Sequence, residues 1–249
     1  MRIELVNNYD ELSKSSGNYI FQKMKENKKI NMGLATGSTP LGLYQELIRL
    51  KDKNGINLNN ITTFNLDEYI GVPPESAASY RYYMNNNLFR PLRLPIEQTH
   101  IPLGMAEDIE MECKRYEKLI EESGGIDIQI LGVGDNGHIG FNEPGTSFLQ
   151  PTHIVQLTHS TRKANARFFK SIDDVPTKAI TMGIQTIMKA KEIVLLASGK
   201  AKAEAIFQLI ESNQMTTSWP VTILKSHPNV TVFIDEPATL LLSEKMKAV

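Results

Sequence analysis

Segment 128–144 brings together the residue types that proton-transfer chemistry uses. An apolar run at 128–131 leads into three glycines, at positions 132, 134 and 137, and then into polar side chains. These polar side chains are Asp135, Asn136, His138, Asn142 and Glu143. A histidine can move protons near neutral pH, and a carboxylate can orient its ring. The pattern predicts an active-site loop, and the alternative it leaves open is a polar loop whose side chains bond their own backbone.

Two further carboxyl groups stand at the end of another apolar run. Asp67 and Glu68 follow residues 61–66, and the carboxyl ends of strands in open α/β sheets face the ligand crevice. A carboxyl group beside apolar residues can have its pKa tuned for work as a general base. A solvated strand end is the competing interpretation of the same two residues.

An anion site is predicted where the apolar run 30–35 ends. Thr36, Gly37, Ser38 and Thr39 come next, and Pro40 precedes apolar residues at helical spacing. Thr39 suits a helix N-cap and Pro40 the first helical position. Free N–H groups and the dipole at such a helix start bind phosphate, although an ordinary capped helix gives the same pattern. No Gly-Lys-Ser/Thr follows, so a nucleoside triphosphate is not indicated.

Cations for an anionic ligand are available in segment 144–172, which contains no Asp or Glu. Lys163, Arg167 and Lys170 share one helical face there, and Lys202 lies at a later strand-to-helix turn. The segment is either a solvated face or a mobile lid that brings cations to the ligand.

The glycines at 132, 134 and 137 also match the dinucleotide-binding fingerprint. That fingerprint requires a helix directly after it and an acid about 20 residues on. Here Pro144 and Gly145 interrupt early and the acid is missing, which disfavours an NAD enzyme. A metal site would depend on His138, Glu143 and remote groups, and the sequence predicts neither a metal nor a cofactor.

The elements that position these residues alternate along the chain. Apolar runs predict strands at 3–6, 30–35, 61–66, 128–131, 154–157, 179–182, 193–197 and 230–234. Helical spacing predicts helices at 10–27 with Asp10 as the cap, after Pro40, and at 79–89, 105–122, 161–170 and 200–211, while 221–225 is ambiguous. Such alternation predicts an α/β fold with a largely parallel sheet covered on both faces. No repeat or linker interrupts it, so one domain over 1–249 is expected.

The composition of the chain limits the classes of binding partner that we expect. The 249 residues carry a net charge of −1, so no global field favours nucleic acid or a membrane surface. Cys113 is the single cysteine, and no apolar run approaches the ~20 residues of a spanning helix. We expect a soluble, cytoplasmic protein that binds a small molecule. The sequence contains no pattern that indicates whether the protein forms a homo-oligomer.

Four segments together resemble the glucosamine-6-phosphate deaminase family. They are LATGSTP at 34–40, TFNLDEY at 63–69, GDNGHIGFNEP at 134–144 and TRKANARFF at 161–169. They occur in the family's order, and the resemblance covers essentially the whole chain. It implies a three-layer α/β/α Rossmann-like fold with a mostly parallel central sheet and helices on both faces, shared with 6-phosphogluconolactonases.

The resemblance also implies the reaction and the residues that perform it. Glucosamine 6-phosphate and water would give fructose 6-phosphate and ammonia, without a redox cofactor or a metal. Asp67 would move the C2 proton to C1, and His138 would open the sugar ring with Glu143 and Asn136 around it. The residues implied for substrate binding are Thr36, Gly37, Ser38, Thr39, Gly137, Arg167 and Lys202.

Two departures from the family pattern lead to hypotheses. Some members carry an acid where this chain has Asn136, so we expect Glu143 to be the main electrostatic partner of His138. Activated members carry basic residues at the positions of His153 and Val155, so we expect no activation by N-acetylglucosamine 6-phosphate. The alternatives left open are a sugar-lactone hydrolase and a non-catalytic sugar-phosphate sensor.

Overall fold

The apolar runs form β-strands in the computed structural model, which describes residues 1–55, 58–166, 169 and 171–244. The strands are β1 Arg2–Val6, β2 Ile30–Leu34, β3 Ile61–Asn65, β4 Asp67–Tyr69, β5 Thr99–His100, β6 Ile128–Gly132, β7 His153–Gln156, β8 Lys178–Thr181, β9 Glu192–Ala197 and β10 Val230–Asp235. Seven of them form one sheet in the order β1-β10-β9-β6-β2-β3-β5. All neighbours in this sheet run parallel.

Helices cover both faces of this sheet. They are α1 Tyr9–Glu26, α2 Leu41–Asn54, α3 Tyr80–Met84, α4 Arg90–Leu92, α5 Ile109–Glu122, α6 His159–Asn165, α7 Ile184–Ile187 and α8 Ala203–Ile210. Leu12 of α1 and Leu43 of α2 pack in one buried cluster with Ile130 of β6. Tyr116 of α5 and Ile206 of α8 pack in a second cluster, on the other face. The predicted three-layer α/β/α architecture is confirmed.

A small antiparallel sheet, β4-β8-β7, stands beside the large one. The chain changes sheets at Leu66, whose N–H donates to Leu34 of β2 and whose carbonyl accepts from Met182 after β8. The predicted strand 61–66 was therefore wrong at its end: β3 ends at Asn65, and Asp67 starts a new strand opposite Thr181. This change of sheet places Asp67 beyond the carboxyl ends of the large sheet.

The predicted caps of the first two helices need correction. Asn8, not Asp10, is the N-cap of α1, and its side chain accepts a hydrogen bond from the N–H of Glu11. Pro40, not Thr39, is the N-cap of α2, and it has no side chain that could accept a hydrogen bond from the helix. The Thr39 side chain therefore does not cap α2 as predicted, and the N–H of Gly42 in the first turn donates to the hydroxyl of Tyr9 instead.

Several helix boundaries also differ from the prediction. Segment 79–89 is helical, but it passes through a π-helical turn, Asn85–Phe89, before α4. Helix α5 begins only after Asp108, and 200–211 divides into the 3₁₀ turn Lys200–Lys202 and helix α8. The ambiguous segment 221–225 lies in a 3₁₀ helix, Pro220–Ser226. None of the helices among the described residues has the length and hydropathy to cross a membrane.

Candidate active site

A cavity of about 320 Å³ opens where β2, β6 and β9 end, beside the start of β4. Its wall includes residues 36–39 and the side chains of Asp67, Asn136, His138 and Lys202. These residues follow four different strands. Parallel strands bring their carboxyl ends to one edge of the sheet, which is where open α/β sheets bind ligands. The structure therefore brings the predicted base, the predicted acid/base and the predicted anion loop to one space.

Asp67 is buried in the cavity wall, with 6% of its surface exposed. Burial raises the pKa of this carboxyl group to about 8, and the charge of the neighbouring Glu68 adds to the effect. Removing a carboxylate from water disfavours its charged form. Its proton affinity is therefore suited to taking and returning a proton near neutral pH.

Glu68 is also buried, but its carboxylate is occupied by the backbone. Its Oε1 accepts hydrogen bonds from the N–H groups of Tyr69 and Tyr80, each at 2.9 Å. Its Oε2 accepts from the N–H of Arg81 at 2.9 Å. Burial raises the pKa of Glu68, while these three N–H groups oppose the rise. Glu68 therefore fixes the start of α3 and places a like charge beside Asp67.

His138 is held by glycine on one side and by a carboxylate on the other. A Cβ atom at Gly134 would lie 2.3 Å from the imidazole Cε1, so only glycine leaves room for the ring there. The ring Nδ1 lies 3.6 Å from Oε2 of Glu143. This places Glu143 behind the imidazole, and the cavity lies on the other side.

Glu143 is fixed by two further donors. Asn136 Nδ2 donates to its Oε2 at 2.8 Å, and Thr161 Oγ1 donates to its Oε1 at 2.6 Å. Burial alone would raise the pKa of Glu143. The nearby imidazole of His138 and the hydrogen bonds from Thr161 and Asn136 outweigh burial and lower it to about 2. Glu143 therefore stays ionised and can stabilise a positively charged imidazole.

Asn136 contacts Glu143 and the backbone of His138, whose N–H donates to Asn136 Oδ1 at 3.2 Å. This arrangement agrees with the hypothesis that Glu143 supplies the charge opposite His138. The amide of Asn136 orients the carboxylate.

The groups expected to hold an anion also line this cavity. The residues 36–39 form the turn between β2 and α2, and Lys202 lies at the end of the 3₁₀ turn after β9. Burial lowers the pKa of Lys202, and Asp135 partly offsets this. Among the described residues, no group of three or more His, Cys, Asp and Glu side chains could hold a metal ion.

Of the residues predicted for substrate binding, Gly137 lies outside the cavity and Arg167 lies outside the described residues. Gly137 packs away from the cavity, because its N–H donates to Gly134 and a Cβ there would meet the ring of Trp219 at 2.7 Å. Arg167 lies outside the described residues, as does Lys170. The predicted lid segment 144–172 nevertheless contributes Thr161 of α6 to the wall.

Sequence reasoning missed Tyr80 and Thr161, which both line the cavity. Tyr80 stacks on Phe141 with ring centroids 6.2 Å apart, and its hydroxyl donates to that of Tyr69. No local pattern indicates this cluster. A signal for Thr161 was available, since Thr158 caps α6 three residues earlier and thereby fixes which way α6 faces.

Comparison with known proteins agrees with this geometry. A family model described as glucosamine-6-phosphate isomerases/6-phosphogluconolactonase matches residues 7–233. The glucosamine-6-phosphate deaminase of Shouchella clausii (strain KSM-K16) is 53% identical over 245 residues, which cover 98% of this chain and 99% of that protein. That of Thermoanaerobacter pseudethanolicus (strain ATCC 33223 / 39E) is 52% identical over 250 residues, covering 100% and 98%.

Solved structures show the same relationship. A monomeric glucosamine-6-phosphate deaminase, 48% identical, matches with a TM-score of 0.93 over 96% of this chain and 98% of that one. A 6-phosphogluconolactonase from Thermotoga maritima matches with a TM-score of 0.74 over 94% and 99%. It is 21% identical, so that likeness shows the fold alone. With the converging site and these full-length matches, the chain belongs to the glucosamine-6-phosphate isomerase/6-phosphogluconolactonase family, among its glucosamine-6-phosphate deaminases.

Proposed function

We propose that this protein converts glucosamine 6-phosphate and water to fructose 6-phosphate and ammonia. The observation that carries the proposal is the shared cavity, in which a carboxyl group of raised pKa faces a carboxylate-backed imidazole. A reaction that moves protons at two neighbouring carbons of a sugar requires both groups at once. The breakdown of amino sugars is the process that this reaction serves.

Ring opening is assigned to His138. The closed sugar becomes an aldehyde when the C1 hydroxyl loses a proton, the bond between C1 and the ring oxygen breaks, and that oxygen gains a proton. An imidazole can perform both transfers. Glu143, kept ionised at all working pH values by its low pKa of about 2, stabilises the imidazolium formed between them.

Proton transfer between carbons is assigned to Asp67. Its carboxylate takes the C2 proton, which the C1 carbonyl has made acidic. The electron pair of the C2–H bond forms the C1=C2 bond of an enolamine, and the C1 oxygen takes a proton from the substrate's ammonium group. The carboxyl group then returns the proton to C1, which leaves an iminium group at C2. Water adds to C2 and ammonia leaves, so that the ketone of fructose 6-phosphate remains. The raised pKa of about 8 allows Asp67 to take this proton and then to release it.

The phosphate of the substrate is assigned to residues 36–39 and Lys202, with Arg167 added from the family resemblance. N–H groups at the start of α2 and a cation across the cavity suit a dianion. Binding at the phosphate is remote from C1 and C2. It therefore supplies energy for holding these carbons between Asp67 and His138.

The deciding experiment measures ammonia release from glucosamine 6-phosphate by the purified protein, without added metal or nicotinamide. We expect turnover, and we expect Asp67→Asn to abolish it. Hydrolysis of 6-phosphogluconolactone that survives Asp67→Asn would instead identify a lactone hydrolase, which needs no proton transfer at C2. Tight binding of sugar phosphates without release of any product would identify a sensor.

A further inference from the structure

The carbonyl groups of the phosphate loop are held by tyrosines from two separate helices. The hydroxyl of Tyr83, in α3, donates to the carbonyl oxygen of Gly37 at 2.6 Å. The hydroxyl of Tyr9, in α1, donates to the carbonyl oxygens of Ser38 at 2.7 Å and Thr39 at 3.1 Å. Three of the four carbonyls of residues 36–39 therefore bond to a hydroxyl outside the turn.

The flanks of the loop are fixed in the same way. Tyr44, in α2, donates to the carbonyl oxygen of Ala35 at 2.6 Å. The Tyr9 hydroxyl also accepts a hydrogen bond from the N–H of Gly42 at 2.9 Å. Tyr9 thereby joins the loop to the first turn of the helix that follows it.

The orientation of the carbonyls determines where the N–H groups point. A peptide unit is planar, and the C=O of one residue points opposite to the N–H of the next. The Gly37 and Ser38 carbonyls therefore set the directions of the Ser38 and Thr39 N–H groups, whereas the Thr39 carbonyl precedes Pro40, which has no N–H. Among the described residues, none accepts a hydrogen bond from the N–H groups of Gly37, Ser38 or Thr39. The loop thus has hydrogen-bonded carbonyls on one side and N–H groups available as donors on the other. This is the arrangement that binds an oxyanion.

The hydroxyl groups of Tyr83 and Tyr44 remain donors at working pH. Burial raises the pKa of Tyr83, and the nearby Tyr9 adds to the rise. Burial also raises the pKa of Tyr44 far above its usual value. A protonated hydroxyl prefers a carbonyl as its partner, so a peptide flip that turned a carbonyl towards the ligand would break the bond.

We propose that Tyr9 and Tyr83 are positioning residues for the phosphate of the substrate: by holding the carbonyls of Gly37 and Ser38 outwards, they keep the N–H groups of Ser38 and Thr39 aimed into the cavity. The identity of the phosphate as that of a sugar phosphate rests on the proposed function. Neither tyrosine lines the cavity, so both act through the backbone of the loop.

The position of Tyr83 on α3 has a second consequence, because α3 also contacts β4, the strand that carries Asp67. The N–H groups of Tyr80 and Arg81 at the start of α3 donate to Glu68, which directly follows Asp67. The same short helix thus bonds to the loop that binds the phosphate and to the strand that carries the base. This connection links the position of the phosphate-binding loop to the position of Asp67.

The test compares Tyr9→Phe, Tyr83→Phe and the control Tyr82→Phe. Tyr82 lies beside Tyr83 on α3 and is 39% exposed. Calorimetric titration with inorganic phosphate measures the loop itself and needs no turnover. We expect Tyr83→Phe to weaken phosphate binding about three- to tenfold, as for one lost hydrogen bond, and Tyr9→Phe, which loses its bonds to Ser38, Thr39 and Gly42, to weaken it at least as much. We expect the KM for glucosamine 6-phosphate to rise by the same factor while kcat falls less than twofold.

The outcomes separate this inference from the proposed function. Phosphate affinity that is unchanged in both loop variants would overturn it, and so would an equal loss in Tyr82→Phe. A fall in kcat with unchanged KM would also overturn it, because that would indicate general damage to the site. If the wild type binds phosphate and the loop variants bind it more weakly, the inference stands even where no ammonia is released. In that case the proposed function would be wrong, and the positioning role of Tyr9 and Tyr83 would still hold.

Discussion

The hydroxyl of Thr161 donates a 2.6 Å hydrogen bond to Oε1 of Glu143. This bond joins helix α6, in the predicted lid segment, to the carboxylate behind His138. Thr161 is itself fixed, because the Thr158 hydroxyl donates to it at 2.9 Å and caps the same helix. The position of α6 and the position of the ring-opening pair are therefore linked by one short contact.

Replacing Thr161 by valine keeps its shape and removes that donor. We expect kcat to fall about tenfold, because a hydrogen bond to a charged group contributes about 1.5 to 3 kcal/mol. Thr161→Ser restores the hydroxyl and is the matched control, which should recover most of the activity. Steady-state ammonia release measures both. Equal losses in the valine and serine variants would show that the hydroxyl does not matter.

Glu143→Gln tests the electrostatic partner of His138. The amide removes the charge opposite the imidazolium, and we expect ring opening to slow at least about 100-fold, within the usual range for acid/base groups. Asn136→Ala removes one donor to Glu143 and should cost about tenfold. The rate of ring opening can be followed with a carbonyl trap. A larger loss for Asn136→Ala than for Glu143→Gln would contradict this assignment.

The raised pKa of Asp67 predicts the acid limb of the activity profile. Asp67 must be ionised to take the C2 proton, so kcat/KM should rise with pH and level off above about 8. Part of the rise in pKa comes from the charge of Glu68. Glu68→Gln should therefore move the midpoint to lower pH. A midpoint that stays near the ordinary value for aspartate would show that burial does not tune this group.

The same pKa makes Asp67 a source of instability at high pH. The folded-state pKa of about 8 lies above the unfolded value of about 3.9. The folded state therefore holds the extra proton between these values, and its stability falls as pH rises through this window. We expect Asp67→Asn to raise the melting temperature at pH 9 by at least about 2 °C, or about 1 kcal/mol for a chain of this size. Melting curves at pH 5 are the control, where the difference should be smaller.

Activation by N-acetylglucosamine 6-phosphate remains predicted to be absent. His153 is the only ionisable side chain at the two positions in question, and burial lowers its pKa. The other position holds Val155. Neither supplies a permanent positive charge for a phosphate. Initial rates against substrate should be hyperbolic with and without that compound, and sigmoidal kinetics that it relieves would refute the prediction.

The sequence was informative where the physical signal is local. The apolar run 128–131 and the glycines after it predicted β6 and the loop that carries His138. The four cavity-wall groups Asp67, Asn136, His138 and Lys202 were all named from sequence. Runs of buried residues and the residue types of a reactive site are visible without knowledge of the fold.

Long-range relationships were not visible. The change of sheet at Leu66 leaves no trace in apolar periodicity, so Leu66 was predicted as the end of β3 and β4 was not predicted. Thr39 has the chemistry of an N-cap, but the helix starts at Leu41 with Pro40 in the cap position. The hydrogen bonds of Tyr9 and Tyr83 to the loop span 29 and 46 residues. Their partners are backbone carbonyls, which every residue has, so no residue pattern marks them.

The pairing of the first strand with the last has a consequence for biosynthesis. β1 forms the edge of the large sheet and pairs with β10. Asp235, at the end of β10, accepts hydrogen bonds from Ser198 and Gly199 in the turn before Lys202. A nascent chain that is still missing its final strand thus exposes an unpaired edge and lacks the support for its cation. The chain as far as Asp235 must therefore leave the ribosome before the site is complete, and until then β1 lacks the strand with which it pairs.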